Sequence, residues 1–249
     1  MSWRLRVLLF LCFTIIAHAA TPTAQFDQAN RLYEQGKFAD AANGYQQLIA
    51  LGHTSATIYY NLGNAWFKAG QLGRAVAAYR RAQELAPRDP NIRFNLDFAR
   101  KQVSGSNAPA PNVWQRALGR FTINEWAALE AVAFWLCFVM LILREWKPTW
   151  RRALRNYIIA AGSIAALFIA VLAVTLYQST NVREAVIVTQ QAVVRFGPVE
   201  DSRVHFQLRN GAEVQIVGRK ESGPVEAWLQ VRDGSNRIGW LKRDQVVIL

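Results

Sequence analysis

Histidine, cysteine and closely paired carboxylates are the side chains that most often supply nucleophiles, proton carriers and metal ligands near neutral pH. In this sequence they are few and scattered. His18 lies in an apolar leader, and His53 and His205 fall in segments of different character. Cys12 and Cys137 each sit inside an apolar run. No CxxC pair exists and no thiol stands beside a histidine, so a nucleophile–base pair or a His/Cys metal centre has no raw material. Nothing pairs the carboxylates for acid–base work. The expectation is a non-enzymatic chain with no catalytic residue, no metal and no cofactor.

The side chains that stand out by spacing are binders. Arg144, Lys147, Arg151, Arg152 and Arg155 crowd one short stretch against a single acid, Glu145. The chain carries a net charge of +12, and residues 144–156 alone hold +4 of it. Residues 21–112 also carry +4 but spread over a far longer segment, and residues 181–249 carry only +2. No folded segment has the one-sided basic face of a nucleic-acid binder, so no nucleic-acid partner is expected. The cluster lies between two apolar runs, which points to anionic lipid head groups as its partner.

Three apolar segments position that cluster. The first, Val7–Ala17, follows Arg4 and Arg6 and precedes small residues at alternate positions, "AHA". Its helix would rise only about 16 Å against about 30 Å of hydrocarbon. It reads as a secretory signal peptide, residues 1–19, cut after Ala19, with an uncleaved signal anchor as the alternative. The second run, Trp126–Leu143, is preceded by "TINE", in which Thr122 and Glu125 have the spacing of a capping box. The third, Tyr157–Tyr177, has no charge at all. Both are expected to be transmembrane helices, at 122–143 and 157–179. Ala127 and Ala131 in one, and Gly162 and Ala166 in the other, offer small faces for a close hairpin. Basic loops stay cytoplasmic, so the loop at 144–156 is expected inside and both flanking segments outside. The secretory leader demands the same topology. Glu130, near the outer end of the first span, is expected at the interface, with Arg120 or Arg183 as partner should it be buried.

Residues 22–55, shifted by 34, fall on 56–89 without a gap. Ala29 meets Gly63, Asn30 meets Asn64, Leu32 meets Trp66, Gly36 meets Gly70, Ala41 meets Ala75, and Tyr45 meets Tyr79. A third copy begins at Pro90 and stops after one helix. "ATIYYNLGNAWFKAGQLGRAVAAYRRAQELAPRD" resembles the tetratricopeptide repeat, a helix–turn–helix unit of this period. Residues 22–103 are therefore expected to hold two full repeats plus a capping helix. The resemblance implies a concave groove for an extended peptide or a partner helix. Phe26, Asn30 and Tyr33 share one stripe, and Tyr60, Asn64 and Phe67 the next. The asparagine amides would bond a peptide backbone and Lys68 would meet a carboxylate. For the aromatics, packing against the next repeat is an equal alternative.

"SGSNAPAPN", residues 104–112, reads as a spacer. The stretch to 121 is a candidate interfacial segment anchored by Trp114 and Phe121. After residue 183 come short β-branched and aromatic runs separated by turn residues. "VVRFGP", "RNGAEVQIV" and "WLQVRDG…IGWL" together resemble the bacterial SH3 domain, a small all-β barrel, over 185–249. That resemblance implies binding of cell-wall peptide or glycan, with Arg195 and Phe196 as surface candidates. Trp228 and Trp240 are expected in the core. The fold expected is thus a multidomain membrane protein: an α-helical repeat array, a two-helix hairpin and an SH3-like barrel at 183–249. This order resembles the E-type (BatE-like) proteins of the bacterial aerotolerance operons. The resemblance implies a non-enzymatic envelope scaffold that assembles with von Willebrand-type membrane proteins and a MoxR-type ATPase. A peptidoglycan-binding tether is the alternative.

Overall fold

The computed structural model describes residues 21–103, 118–181, 183–222 and 226–249. Its first part is five helices: α1 (Pro22–Glu34), α2 (Phe38–Ala50), α3 (Ala56–Lys68), α4 (Leu72–Leu85) and α5 (Pro90–Gln102). Each first helix of a pair begins on a polar cap. Thr21 accepts from the Ala24 amide, Ser55 from the Ile58 amide, and Asp89 from the Asn91 amide at 2.8 Å, with Pro22 and Pro90 filling first-turn positions that need no donor. Gly36 and Gly70 then adopt φ of +76° and +77°, so that the next amides, of Lys37 and Gln71, turn back onto the Leu32 and Trp66 carbonyls.

Small residues set how closely the paired helices cross. A Cβ on Gly63 would lie 2.5 Å from two ring atoms of Tyr79. Ala41, Ala75 and Ala82 are completely buried, and Leu48, Leu62, Trp66 and Leu96 fill the space around them. Burying each of the larger side chains contributes about 1.5–3 kcal/mol.

Two long helices follow: α6 (Ile123–Trp146) and α7 (Arg151–Asn181). Thr122 accepts from the Glu125 amide while the Glu125 carboxylate receives the Thr122 amide, which completes the expected capping box. Trp126 lies near Phe168, Cys137 near Gly162, and Ala133 and Ala165 are buried, so the helices run antiparallel along a seam of Ala133, Gly162 and Ala165. Ala127, Ala131 and Ala166, expected to form it, lie instead on exposed sides of their helices. Phe134, Trp135, Leu136, Ile159 and Leu167 face outward and are exposed. By length and composition both helices can cross a membrane.

The bend between them is shorter than the sequence suggested. Helix continues through Trp146 and resumes at Arg151, leaving Lys147–Trp150 as the turn. The expected loop at 144–156 is therefore mostly helical. At about 36 Å and 46 Å the two helices exceed the hydrocarbon thickness, and their ends keep backbone hydrogen bonds while cationic side chains reach outward.

The last part is one antiparallel sheet: β1 (Arg183–Ile187), β2 (Gln191–Arg195), β3 (Val204–Arg209), β4 (Glu213–Ser222), β5 (Glu226–Arg232), β6 (Ile238–Lys242) and β7 (Val246–Ile248). The strand order is β3-β2-β6-β5-β4-β1-β7. Ala185, Val194, Phe206, Val214, Leu229, Leu241 and Val246, one from each strand, share a single buried cluster, so the sheet curls around its own core. A bulge between Ile216 and Gly218 assists the curl. The β5–β6 turn is held by buried Asp233, whose carboxylate receives the Ser235 amide, the Arg237 amide and the Arg237 guanidinium.

The array and the sheet touch. Val186 of β1 belongs to the buried cluster of the repeat helices, and Leu249 packs against it. Arg80 of α4 pairs with Glu184 and approaches Glu213 at 3.4 Å, while Arg100 of α5 donates twice to Glu213 at 2.6 and 2.8 Å. The Gly73 amide donates to Asn210 at 2.6 Å. The connection between α4 and α5 meets α6, where Arg88 pairs with Glu125 and lies over the Phe121 ring.

Candidate functional site

The stripe residues expected to form a groove lie on α1, α3 and α5, the first helices of each copy, whose exposed sides form one surface. Asn30 and Asn64 are half-buried there, and their carbonyl oxygens are already engaged. Asn30 Oδ1 accepts from the Tyr45 hydroxyl at 2.6 Å and from Asn61 at 3.4 Å. Asn64 Oδ1 accepts from the Tyr79 hydroxyl at 2.7 Å and from Asn95 at 3.0 Å, and Asn95 also donates to the Tyr60 hydroxyl. The asparagines thus form a ladder that ties each first helix to its own second helix and to the next copy. A ligand could be met only by their amide nitrogens, not by their carbonyls.

The ladder has a chemical signature. Burial pushes the Tyr45 hydroxyl up to about 12, reinforced by Tyr33 and Glu34 and partly opposed by a hydrogen bond with Asn61. Burial also raises Tyr79, more strongly, with Tyr60 and Tyr33 adding to it, and burial raises Tyr33. These hydroxyls remain neutral donors through the physiological range.

The aromatic stripe residues are half-buried. Phe26 packs on Tyr45 at 5.9 Å, Tyr33 on Phe38 at 5.2 Å and Tyr60 on Tyr79 at 6.0 Å. Phe67 packs on Phe98 at 5.6 Å, and Phe98 stacks on Phe94. Phe94 and Phe98 were not among the expected groove residues, yet Phe94 is 70% exposed and Phe98 45%. The period contained the signal, because Phe98 stands one repeat after Asn64. One period after Tyr45 and Tyr79 the sequence has Val113, so the carbonyl of an asparagine at position 98 would lack that donor. A phenylalanine extends the aromatic floor instead. Lys68 is exposed at its edge. This surface can hold an apolar peptide or helix face flanked by a cation.

On the barrel, Phe196 is 59% exposed and its ring lies 4.1 Å from that of His205. Arg195 donates to the Ser202 carbonyl at 2.7 Å, which turns much of its donor capacity inward. Trp228 is buried and Trp240 half-buried. Arg144, Lys147, Arg151, Arg152 and Arg155 are all exposed around the hairpin bend. Arg151 pairs with Glu145 at 3.1 Å, and Lys147 sits over Trp150. No ion pair joins Glu130 to Arg120 or Arg183 among the described residues. Among those residues, no three His, Cys, Asp or Glu side chains gather as a metal site. Residues 1–19, Trp114 and the spacer at 104–112 lie outside the described residues.

Known proteins share parts of this architecture. One stretch of the chain is 33% identical over 98 residues, 39% of its length, to the probable biofilm formation methyltransferase WspC of Pseudomonas aeruginosa. The match spans 23% of that protein's length. Among solved structures, two of the type III secretion translocator chaperone SycD of Yersinia enterocolitica, one of them of an alternative dimer, are similar, at 16% and 18% identity. The matches cover 64% and 60% of this chain and 96% and 90% of SycD, each with a TM-score of 0.32, a likeness too slight to extend to this chain. Residues 26–90 match the family model of the tetratricopeptide repeat, and residues 191–246 match that of the bacterial SH3 domain. The chain therefore carries a tetratricopeptide repeat region and a bacterial SH3 domain.

Proposed function

We propose that the chain is a non-enzymatic adaptor held in the bacterial inner membrane, gripping a partner protein in the groove of its repeats on the extracytoplasmic side. The observation that carries this reading is the exposed aromatic floor of Phe67, Phe94 and Phe98, flanked by Lys68. Apolar surface of this kind is uncommon on a helix that closes an array unless something binds it. Membrane residence is supported by two long apolar helices with outward phenylalanine, tryptophan and leucine side chains. The array–barrel contact fits the topology, because a two-span hairpin returns the chain to the face it left. The basic bend would then lie in the cytoplasm, against anionic lipid. The resemblance to aerotolerance-operon E-type proteins makes von Willebrand-type membrane proteins and a MoxR-type ATPase system the partners to examine first.

The test is co-purification from cells in mild detergent, comparing the parent with Phe94→Ala/Phe98→Ala. Both side chains are exposed, so the variant keeps its fold. Loss of a specific co-purifying membrane protein supports the adaptor; an unchanged set of companions refutes it. A second reading, a peptidoglycan tether, draws on the exposed Phe196 ring against His205. Full-length protein in detergent should then sediment with purified cell wall, and Phe196→Ala should not.

A further inference from the structure

The repeat period makes position-by-position comparison possible, and two inward positions change character where the array ends. Leu32 in the first copy and Trp66 in the second pack inward toward their own second helix; the equivalent residue of the third copy is Arg100. Ala29 and Gly63 are buried where the paired helices cross, and their successor, Asp97, is exposed. These are the changes expected where the repeat motif of the sequence stops after one helix. Arg100 nevertheless is not left in water. Its side chain is 24% exposed, and its guanidinium is held by both oxygens of Glu213, at the head of β4.

The second helices tell the same story. Ala39, Asn43, Gln46 and Gln47 of α2 are all exposed, as the back of a repeat normally is. One period later stand Gly73, Ala77, Arg80 and Arg81, of which Gly73 and Ala77 are buried and the two arginines half-buried. Barrel atoms cover this face. A Cβ on Gly73 would collide with the Ile187 carbonyl and the Asn210 side chain, and Val103 presses on Gly211. Arg80 pairs with Glu184, and Arg81 reaches the Ile248 carbonyl at 3.5 Å. Burial lowers the Arg80 pKa, opposed by Glu213 and reinforced by Arg100, whereas at Arg100 the bonds to Glu213 outweigh burial.

We propose that the SH3-like barrel is the C-terminal cap of the repeat array. Strand β1, the β3–β4 turn and the carboxyl-terminal strand seat on the back of α4 and the last turn of α5. Array and barrel are then one cooperative body rather than two beads on a membrane anchor. The groove on one side of α4 and the barrel on the other are held in fixed relation. An array of two and a half repeats, too short to close its own core, is completed by a domain that follows it only after two membrane-length helices.

The test uses full-length protein in detergent and hydrogen exchange read by mass spectrometry. Gly73→Gln places a wedge in the contact, and Arg100→Glu or Glu213→Arg sets like charges against each other. Each should speed exchange in α5 and β1 by roughly tenfold or more while β2 and β3 keep their protection, and should split one thermal transition into two. The exchanged pair Arg100→Glu/Glu213→Arg should restore slow exchange. The proposal is overturned if wedge and charge reversal leave α5 and β1 as protected as before, or if the exchanged pair is no better than either single change.

Discussion

Gly63→Ala sets two opposing effects against each other, and the structure decides between them. Alanine is favoured over glycine within a helix by about 1 kcal/mol, so an open site would gain stability. Here the new Cβ would lie 2.5 Å from Cδ1 and Cε1 of Tyr79 and 3.0 Å from Cγ. Real contacts of that kind are not made, so one partner must shift. Tyr79 is only 2% exposed and its hydroxyl is fixed to Asn64 at 2.7 Å, so the ring has nowhere to go without breaking the ladder. Overpacking of a closed site costs about 1–3 kcal/mol, and a strained or lost buried hydrogen bond adds about 1 kcal/mol. Against the helical gain, the net expectation is about 2 kcal/mol of destabilisation. For a cooperative body of array plus barrel this corresponds to a fall in melting temperature of roughly 4–8 °C. Circular dichroism of the full-length protein in detergent measures it. Tyr79→Leu added to Gly63→Ala should recover part of the loss by making room. A melting temperature equal to or above the parent's would show that the helices do not cross at Gly63 as described.

Three further outcomes follow from the same structure. Tyr45 rises from an ordinary value of 10.0 to about 12 on folding, so its contribution is complete below pH 10 and disappears as pH climbs through about 12; near-ultraviolet tyrosinate absorbance should show a late-ionising class that Tyr45→Phe diminishes. Asp233→Ala leaves the Ser235 and Arg237 amides of the β5–β6 turn without their acceptor and should destabilise the barrel by about 1–3 kcal/mol, read from thermal unfolding. Cysteine introduced at Thr149, in the hairpin bend, should resist an impermeant thiol reagent in intact spheroplasts, while cysteine at Asn43, exposed on α2, should react; the reverse pattern would invert the proposed topology.

Much of this architecture is legible in the sequence because it rests on local rules. The 34-residue shift exposes the repeats, Gly36 and Gly70 announce left-handed turns, and Thr122 with Glu125 announces the start of α6. These signals act over one to four residues or repeat at a fixed interval. The asparagine ladder was less legible. Residue type shows that Asn30 and Asn64 can bond, but not that Tyr45 and Tyr79 reach them first. The aromatic end of the groove follows from the repeat motif stopping after α5, where Phe98 stands at an asparagine position. The array–barrel contact is hardest to read, because Arg100 and Glu213 are 113 residues apart and neither is unusual alone. Only Arg100 standing where Leu32 and Trp66 stand gives a hint. The basic bend is shorter than its charge suggests, because charge marks the end of the hydrocarbon, whereas the helix ends where its backbone hydrogen bonds do.

The most direct measurement places a photo-activated crosslinking amino acid at Phe98 in living cells, with Gln46 on the exposed back of α2 as the control. A groove that grips a partner predicts a discrete crosslinked membrane-protein species from position 98, lost in the Phe67→Ala background, and none from position 46. Equal, diffuse labelling from both positions would contradict the adaptor account.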